Sequence, residues 1–184
     1  MIYRGADRPL AICVIAAAVI TAACSGPTAT SHSTSSPSPS ASPTSTAPPG
    51  ATLVAGGCGS TQLYRGGFPA WLAPTAHDLT GMSDVPYALS SPATAAGFII
   101  SYPLKAGVAD AKILWVVASP RQDAPLDLKV HPRGSSGPVV SESLPANASP
   151  GEIYPDGATI PSPGCWHFTL KWATGRAELD LTYG

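Results

Sequence analysis

Alternation of apolar and polar residues is strongest at the end of the chain. Trp166, Phe168, Leu170 and Trp172 alternate with His167, Thr169 and Lys171; after Ala173-Thr174-Gly175-Arg176, the residues Ala177, Leu179, Leu181 and Tyr183 alternate with Glu178, Asp180 and Thr182. Period two on both sides of a turn predicts a β-hairpin with one apolar and one wet face. A two-residue Thr174-Gly175 turn, or a four-residue loop from Ala173 to Arg176, sets Trp172 opposite Ala177, Leu170 opposite Leu179, Phe168 opposite Leu181 and Trp166 opposite Tyr183. The same register pairs Lys171 with Glu178, and a one-residue slip would turn every apolar side chain to water. Thr is a poor residue for the positive φ of a tight turn, so the four-residue loop is preferred. Cys165 opens the hairpin on the polar parity.

Upstream, Pro and Gly interrupt the chain too often for helical periodicity. Short runs predict strands at Tyr87 to Leu89, Gly97 to Tyr102, Ile113 to Ala118, Leu126 to His131 and Val139 to Ser143. Ile113-Leu114-Trp115-Val116-Val117 is apolar on both parities, which predicts a central strand covered on both faces. Leu126, Leu128 and Val130 alternate with Asp127, Lys129 and His131, which predicts a half-exposed one. Arg133 to Gly137 and Pro155-Asp156-Gly157 read as turns. Strands at this spacing predict an all-β, immunoglobulin-like antiparallel β-sandwich, with jelly-roll or barrel closure as the alternative. Gly66 to Leu72 fits either an extended stretch or one short helical turn.

The first residues have a different character. Arg4 and Arg8 precede an uncharged apolar run, Pro9 to Ala23, too short to span a bilayer and of the length of a signal-peptide core. The run ends Thr21-Ala22-Ala23-Cys24, which resembles the lipobox of bacterial lipoproteins, with Thr21 where Leu is commonest. The resemblance implies that residues 1–23 are a signal peptide and that Cys24 carries the lipid, with acyl chains such as palmitate. It places the protein outside the cytoplasm, anchored to the outer face of the cytoplasmic membrane. No arginine pair precedes the run, which points to the general secretion route.

Residues 25–50 are dominated by Ser, Thr, Pro and Ala and carry no charged side chain. Such a segment buries too little apolar surface to offset its ordering entropy, so 24–50 is expected to be a disordered tether, and His32 within it a solvated residue. Residues 51–184 have the length of one domain. Cys13 leaves with the signal and Cys24 takes lipid, so in an exported chain Cys58 and Cys165 are expected to form one disulfide. Closing so long a loop stabilises the fold by ~4 to 5 kcal/mol on loop-closure entropy.

The lipobox-like Cys24, the tether, Cys58-Gly59-Ser60-Thr61, Phe68-Pro69-Ala70-Trp71-Leu72, Tyr87-Ala88-Leu89, Lys112 to Val117 and Pro163-Gly164-Cys165-Trp166 together resemble a group of uncharacterised secreted lipoproteins from high-GC bacteria. The resemblance covers nearly the whole mature chain, and Gly-Cys-Trp before a last hairpin is its most specific part. It implies fold and location and brings no activity, ligand or catalytic residue.

The chain carries 10 Lys and Arg against 11 Asp and Glu, a net charge of −1. A nearly neutral chain without a basic cluster lacks the electrostatic footprint of a nucleic-acid binder, so no nucleic acid is expected among its partners. Gly134-Ser135-Ser136-Gly137-Pro138 lacks the spacing of a nucleophile elbow, and the chain has no S-x-x-K, phosphate-binding loop or H-E-x-x-H. No catalytic residue, metal ligand or cofactor is expected. His77, His131 and His167 are far apart in sequence; if the strands of His131 and His167 are neighbours, the two rings meet on the outer surface with Asp127 or Asp180. Asp127, Asp180, Glu178 and Glu152 offer carboxylate pairs, and nothing selects one.

Trp115, Trp166, Phe168 and Trp172 are core by parity, whereas Tyr64, Phe68, Trp71 and Tyr154 lie in Pro/Gly-rich stretches. Tyr64, Phe68 and Trp71 are the candidate binding surface, because loop aromatics stack on sugars or on a partner's peptide. The plainer reading, that Phe68 and Trp71 plug one open end of the sandwich, is preferred for those two rings. The function expected is a monomeric, lipid-anchored, non-catalytic binding module of the cell envelope, with a membrane contact through Cys24 and an envelope protein or glycan as partner. The alternative is an envelope hydrolase or metal-dependent enzyme built from the scattered histidines and acidic residues.

Overall fold

A computed structural model describes residues 47–184 apart from 80, 110, 119, 121 and 147–152. The leader, the lipobox with Cys24, most of the tether with His32, and Glu152 lie outside the described residues. Two antiparallel sheets make the all-β sandwich. The first contains β1 (Thr52–Val54), β2 (Leu63–Arg65), β3 (Tyr87–Leu89), β4 (Ala95–Ile99), β5 (Ile113–Val117) and β8 (Ile153–Asp156), in the order β1-β2-β3-β4-β5-β8. The second contains β6 (Leu126–Pro132), β7 (Val140–Leu144), β9 (Gly164–Trp172) and β10 (Gly175–Tyr183), in the order β10-β9-β6-β7. The chain thus meanders through five strands, crosses for β6 and β7, returns for β8 and crosses again for the last hairpin.

The main core lies between the sheets. Leu126, Leu128, Val130, Trp166, Phe168, Leu170, Leu179 and Leu181 point inward from the second sheet to meet Leu63, Ala88, Ile113, Trp115 and Val117 of the first. Trp115 and Phe168 touch across the gap with ring centroids 5.6 Å apart. On the second sheet the polar members of each alternating run remain at the outer face, as period two requires.

The first sheet is buried on both faces, which is why its central strands lack alternation. Its outer face carries a second cluster in which Tyr64, Tyr87, Phe98 and Val116 pack under Leu72, Ala76, Phe68 and Trp71. The cover is the excursion between β2 and β3. It turns at Pro69, whose carbonyl accepts from the amides of Leu72 (2.9 Å) and Ala73 (3.0 Å), and continues as helix α1 (Ala73–Asp78) with Pro74 in its first turn, where a missing N–H costs nothing. A 3₁₀ turn, Met82–Asp84, returns it to β3. The ambiguity at Gly66 to Leu72 resolves to a helical entry. Phe68 and Trp71 cover the outer sheet face rather than an open end of the sandwich, with Phe68 5.1 Å from Tyr87 and 5.9 Å from Phe98. Burial, with Tyr64 beside it, holds the Tyr87 phenol well above its usual range, and its hydroxyl donates to the Gly67 carbonyl.

Three local expectations need correction. The last hairpin pairs Trp172 with Gly175, Leu170 with Ala177, Phe168 with Leu179 and Trp166 with Leu181, two residues from the expected register, around an Ala173-Thr174 turn. A slip of two preserves the faces, and Gly175 decides it: a Cβ there would lie 2.3 Å from Trp172 Cζ2, so only glycine admits the ring above the turn. Lys171 consequently lies opposite Arg176 and, on its other side, Asp127, not Glu178. Pro155 and Asp156 belong to β8 rather than to a turn, and Tyr154 is a buried strand residue instead of a loop aromatic. Asp156 is buried, accepting from Trp115 Nε1 (2.9 Å) and the Ala158 amide (2.7 Å).

Cys58 and Cys165 form the disulfide, their Cα atoms 5.9 Å apart and 107 residues apart in sequence. It fastens the segment between β1 and β2 to β9.

Candidate functional site

Register and period two turn the outer face of the second sheet into a grid of polar side chains. Arg176, Lys171 and Asp127 form one row across β10, β9 and β6; Glu178, Thr169 and Lys129 the next; Asp180, His167 and His131 the third. The strands of His131 and His167 are neighbours, the two residues are directly opposite, and their ring centroids are 5.1 Å apart. The acidic residue that joins them is Asp180, whereas Asp127 lies two rows away.

Asp180 organises this corner. Its Oδ1 is 2.7 Å from His167 Nδ1, its Oδ2 accepts from Arg133 Nε at 3.1 Å, and its side chain is only 9% exposed. The solvated strand face expected there is covered by the Cys58 to Thr61 segment, which the disulfide holds down. Thr61 N donates to the Cys58 carbonyl (3.0 Å), and Thr61 Oγ1 accepts from the Asp180 amide (2.8 Å). Gly59, at φ +59°, crosses directly above the ion pair, where a Cβ would lie 2.2 Å from Asp180 Oδ2 and 2.7 Å from Arg133 Nε. Glycine is required there twice over, by the backbone and by the space. Each oxygen of this enclosed side chain has a partner, as burial of a polar group requires.

The same crossing shapes a cleft. β10 pairs on its free side with connections between strands of the first sheet: Ser91 and Glu178 exchange backbone hydrogen bonds of 2.7 and 3.0 Å, and Thr182 N donates to the Gly56 carbonyl at 2.9 Å. Between these ties lies a cleft of about 390 Å³ lined by Ser60, Thr61, Gln62, Ser91, His167 and Glu178, with Tyr64, Leu89 and Leu179 adding apolar surface. Ser90 also lines it, but its hydroxyl is engaged by the Ala95 amide (2.9 Å) and the Pro92 carbonyl (2.5 Å). His167 Nε2 lies 3.8 Å from Glu178 Oε2, whose other oxygen accepts from Arg176 at 2.7 Å.

No protein-family model and no curated protein matches the chain. Among solved structures, a crystallised protein described as a candidate lipoprotein of Bacillus anthracis is similar at a TM-score of 0.40 and 13% identity, over 64% of this chain and 96% of that one. So distant a likeness carries no argument about this chain.

Of the expected binding surface, Tyr64 is 1% exposed, its hydroxyl donating to Gln62 Oε1 at 3.0 Å, so although it borders the cleft its ring is too buried for a ligand to stack on. Phe68 and Trp71 are half-buried over the first sheet, on the side away from the histidine grid. His77 is exposed on α1 and takes no part in the site. Among the described residues no group of three His, Cys, Asp or Glu side chains is arranged to hold a metal ion. Sequence reasoning did not find the contribution of Ser60, Thr61, Gln62 and Ser91, whose signal is the disulfide: Cys165 lies opposite Thr182, so its partner Cys58 must bring the following residues onto β10.

Proposed function

We propose that this chain is a lipid-anchored, extracytoplasmic binding module that holds a hydroxyl-rich ligand, a glycan end of the cell envelope, in the cleft beside β10. The observation that carries this reading is the cleft itself. Hydroxyl, amide, imidazole and carboxylate groups line one concavity, and the Asp180 network fixes part of that lining before any ligand arrives. Partly pre-fixed polar groups around a small apolar floor suit a ligand that is itself studded with hydroxyls, since less ordering cost remains on the protein side. The apolar leader, the Thr21-Ala22-Ala23-Cys24 motif and the charge-free tether supply the anchor and the reach.

The test is titration of the disulfide-intact chain with solubilised cell-wall glycan fragments, read by ligand-observed NMR. Saturable binding that weakens in Ser60→Ala and Gln62→Ala, with unfolding midpoints unchanged, supports the cleft. Absence of saturable binding, or binding insensitive to both substitutions, refutes it. Cys24→Ala should release the protein from the membrane fraction, and retention would mean that the leader itself is the anchor. The His167–Asp180 pair beside the Ser60 and Ser91 hydroxyls favours a second reading as a hydrolase, for which covalent labelling by a serine-directed fluorophosphonate is the discriminating result.

A further inference from the structure

We infer that His131 and His167 form a two-imidazole site for a divalent transition-metal cation of the Zn²⁺ class. Three observations carry it, independently of the cleft's ligand. The residues are directly opposite on adjacent strands, with ring centroids 5.1 Å apart and planes inclined by 46°. A tetrahedral cation 2.0–2.1 Å from two nitrogens needs them roughly 3.3 Å apart, a separation open to rings at this centroid distance once their Nε2 atoms turn toward one another.

The second observation is the state of the rings. His131 Nδ1 lies 3.0 Å from the Pro132 carbonyl oxygen, and His167 Nδ1 lies 2.7 Å from the Asp180 carboxylate. Both partners only accept, so in each neutral ring Nδ1 carries the proton and Nε2 the lone pair. Backbone carbonyl and carboxylate are the outer partners that orient metal-binding histidines and raise their basicity. Here both rings have one.

The third is the surrounding charge. Arg133 is paired with Asp180 and Arg176 with Glu178, while Lys129 is one row away from the pair. Glu178 Oε2, 3.8 Å from His167 Nε2, places negative charge near one of the two nitrogens that would bind the cation. Two protein ligands leave coordination positions for water or for a group in the adjoining cleft, which His167 also lines. Imidazole nitrogen selects Zn²⁺, Ni²⁺ and Cu²⁺ over Ca²⁺ and Mg²⁺, which prefer oxygen.

The experiment is titration of the untagged, detergent-solubilised full chain with Zn²⁺ against a chromophoric chelator, with Mg²⁺ as the control. One Zn²⁺ should bind per chain and Mg²⁺ should not compete. His131→Gln and His167→Gln should each weaken binding by at least the roughly 10–100-fold that follows loss of an outer partner alone. His77→Gln and His32→Gln should leave it unchanged. Among the described residues the His131 ring shows no partner beyond the Pro132 carbonyl and the facing ring, so His131→Gln decides the matter even where His167→Gln disturbs the Asp180 corner. No stoichiometric Zn²⁺ binding, undiminished binding in His131→Gln, or equal loss in His77→Gln would overturn the inference.

Discussion

Gly97 sits in the middle of β4, opposite Trp115 on β5 and Ala88 on β3. A Cβ at this position would lie 2.6 Å from Trp115 Cζ3, 2.9 Å from Cε3 and 3.1 Å from Ile113 Cγ2, against about 3.5–4.0 Å for unstrained carbon pairs. The indole therefore has to move by close to an ångström, and it has nowhere to go. It is fully buried, packs on Phe168 across the sandwich, and its Nε1 donates to the buried Asp156 at 2.9 Å. Gly97→Ala thus adds overpacking of about 1–3 kcal/mol and strains a bond whose loss would leave a buried carboxylate short of a donor. Against this stands about 0.5–1 kcal/mol gained by replacing glycine in a strand. Overpacking less that gain is a loss of about 0–2.5 kcal/mol, to which strain in the bond to Asp156 adds, read from denaturant unfolding followed by tryptophan fluorescence. Gly157→Ala is the control, because nothing lies within 4 Å of a Cβ there, and it should be neutral or slightly stabilising. A Gly97→Ala midpoint at or above that of the unsubstituted chain would refute the placement of Trp115.

Cys58→Ser with Cys165→Ser should cost ~3 to 5 kcal/mol for a crosslink spanning 107 residues, and an unfolding midpoint unmoved by reductant would show that the bond does not constrain the unfolded chain. Phe168→Ala should cost ~3 to 5 kcal/mol and exposed Lys171→Ala less than about half a kcal/mol; comparable losses would invert the faces of β9. Glu142 on β7 is pushed up to about 7 by burial first, then by its hydrogen bond to Asp156 and that residue's charge. A raised carboxyl favours the folded state below its unfolded value near 4.5 and loses that contribution as pH rises through about 7, so melting temperature should fall between pH 5 and 8, and less so in Glu142→Gln. Partial exposure makes the effect smaller than the shift alone implies, and a slope unchanged by the substitution would remove Glu142 as its source.

What the residue pattern reveals follows from which faces meet water. β6 and β9 to β10 alternate because one side of the second sheet is solvated, and their inward faces were legible, with strand limits within two residues. β5 was legible as a doubly covered strand from its two apolar parities, but the pattern could not say what covered its sheet, because Phe68, Trp71 and Leu72 sit in a Pro/Gly-rich excursion with no period to read. β1 and β2, three residues each, are too short to show one. The hairpin register escaped for a different reason: a slip of two leaves every face intact, so only the contact of Trp172 with Gly175 distinguishes the alternatives. Asp180 is the instructive case for the candidate site. Its parity is that of a solvated residue, and its burial comes from Cys58 to Thr61, more than a hundred residues earlier. The disulfide expected from the cysteine count held part of that information, and the observed hairpin register supplies the rest. With Cys165 opposite Thr182, and Asp180 opposite His167 in the next row, the residues after Cys58 have to pass over this corner. The covalent bond that stabilises the sandwich is thus the same feature that encloses Asp180, orients His167 and brings Ser60, Thr61 and Gln62 to the cleft.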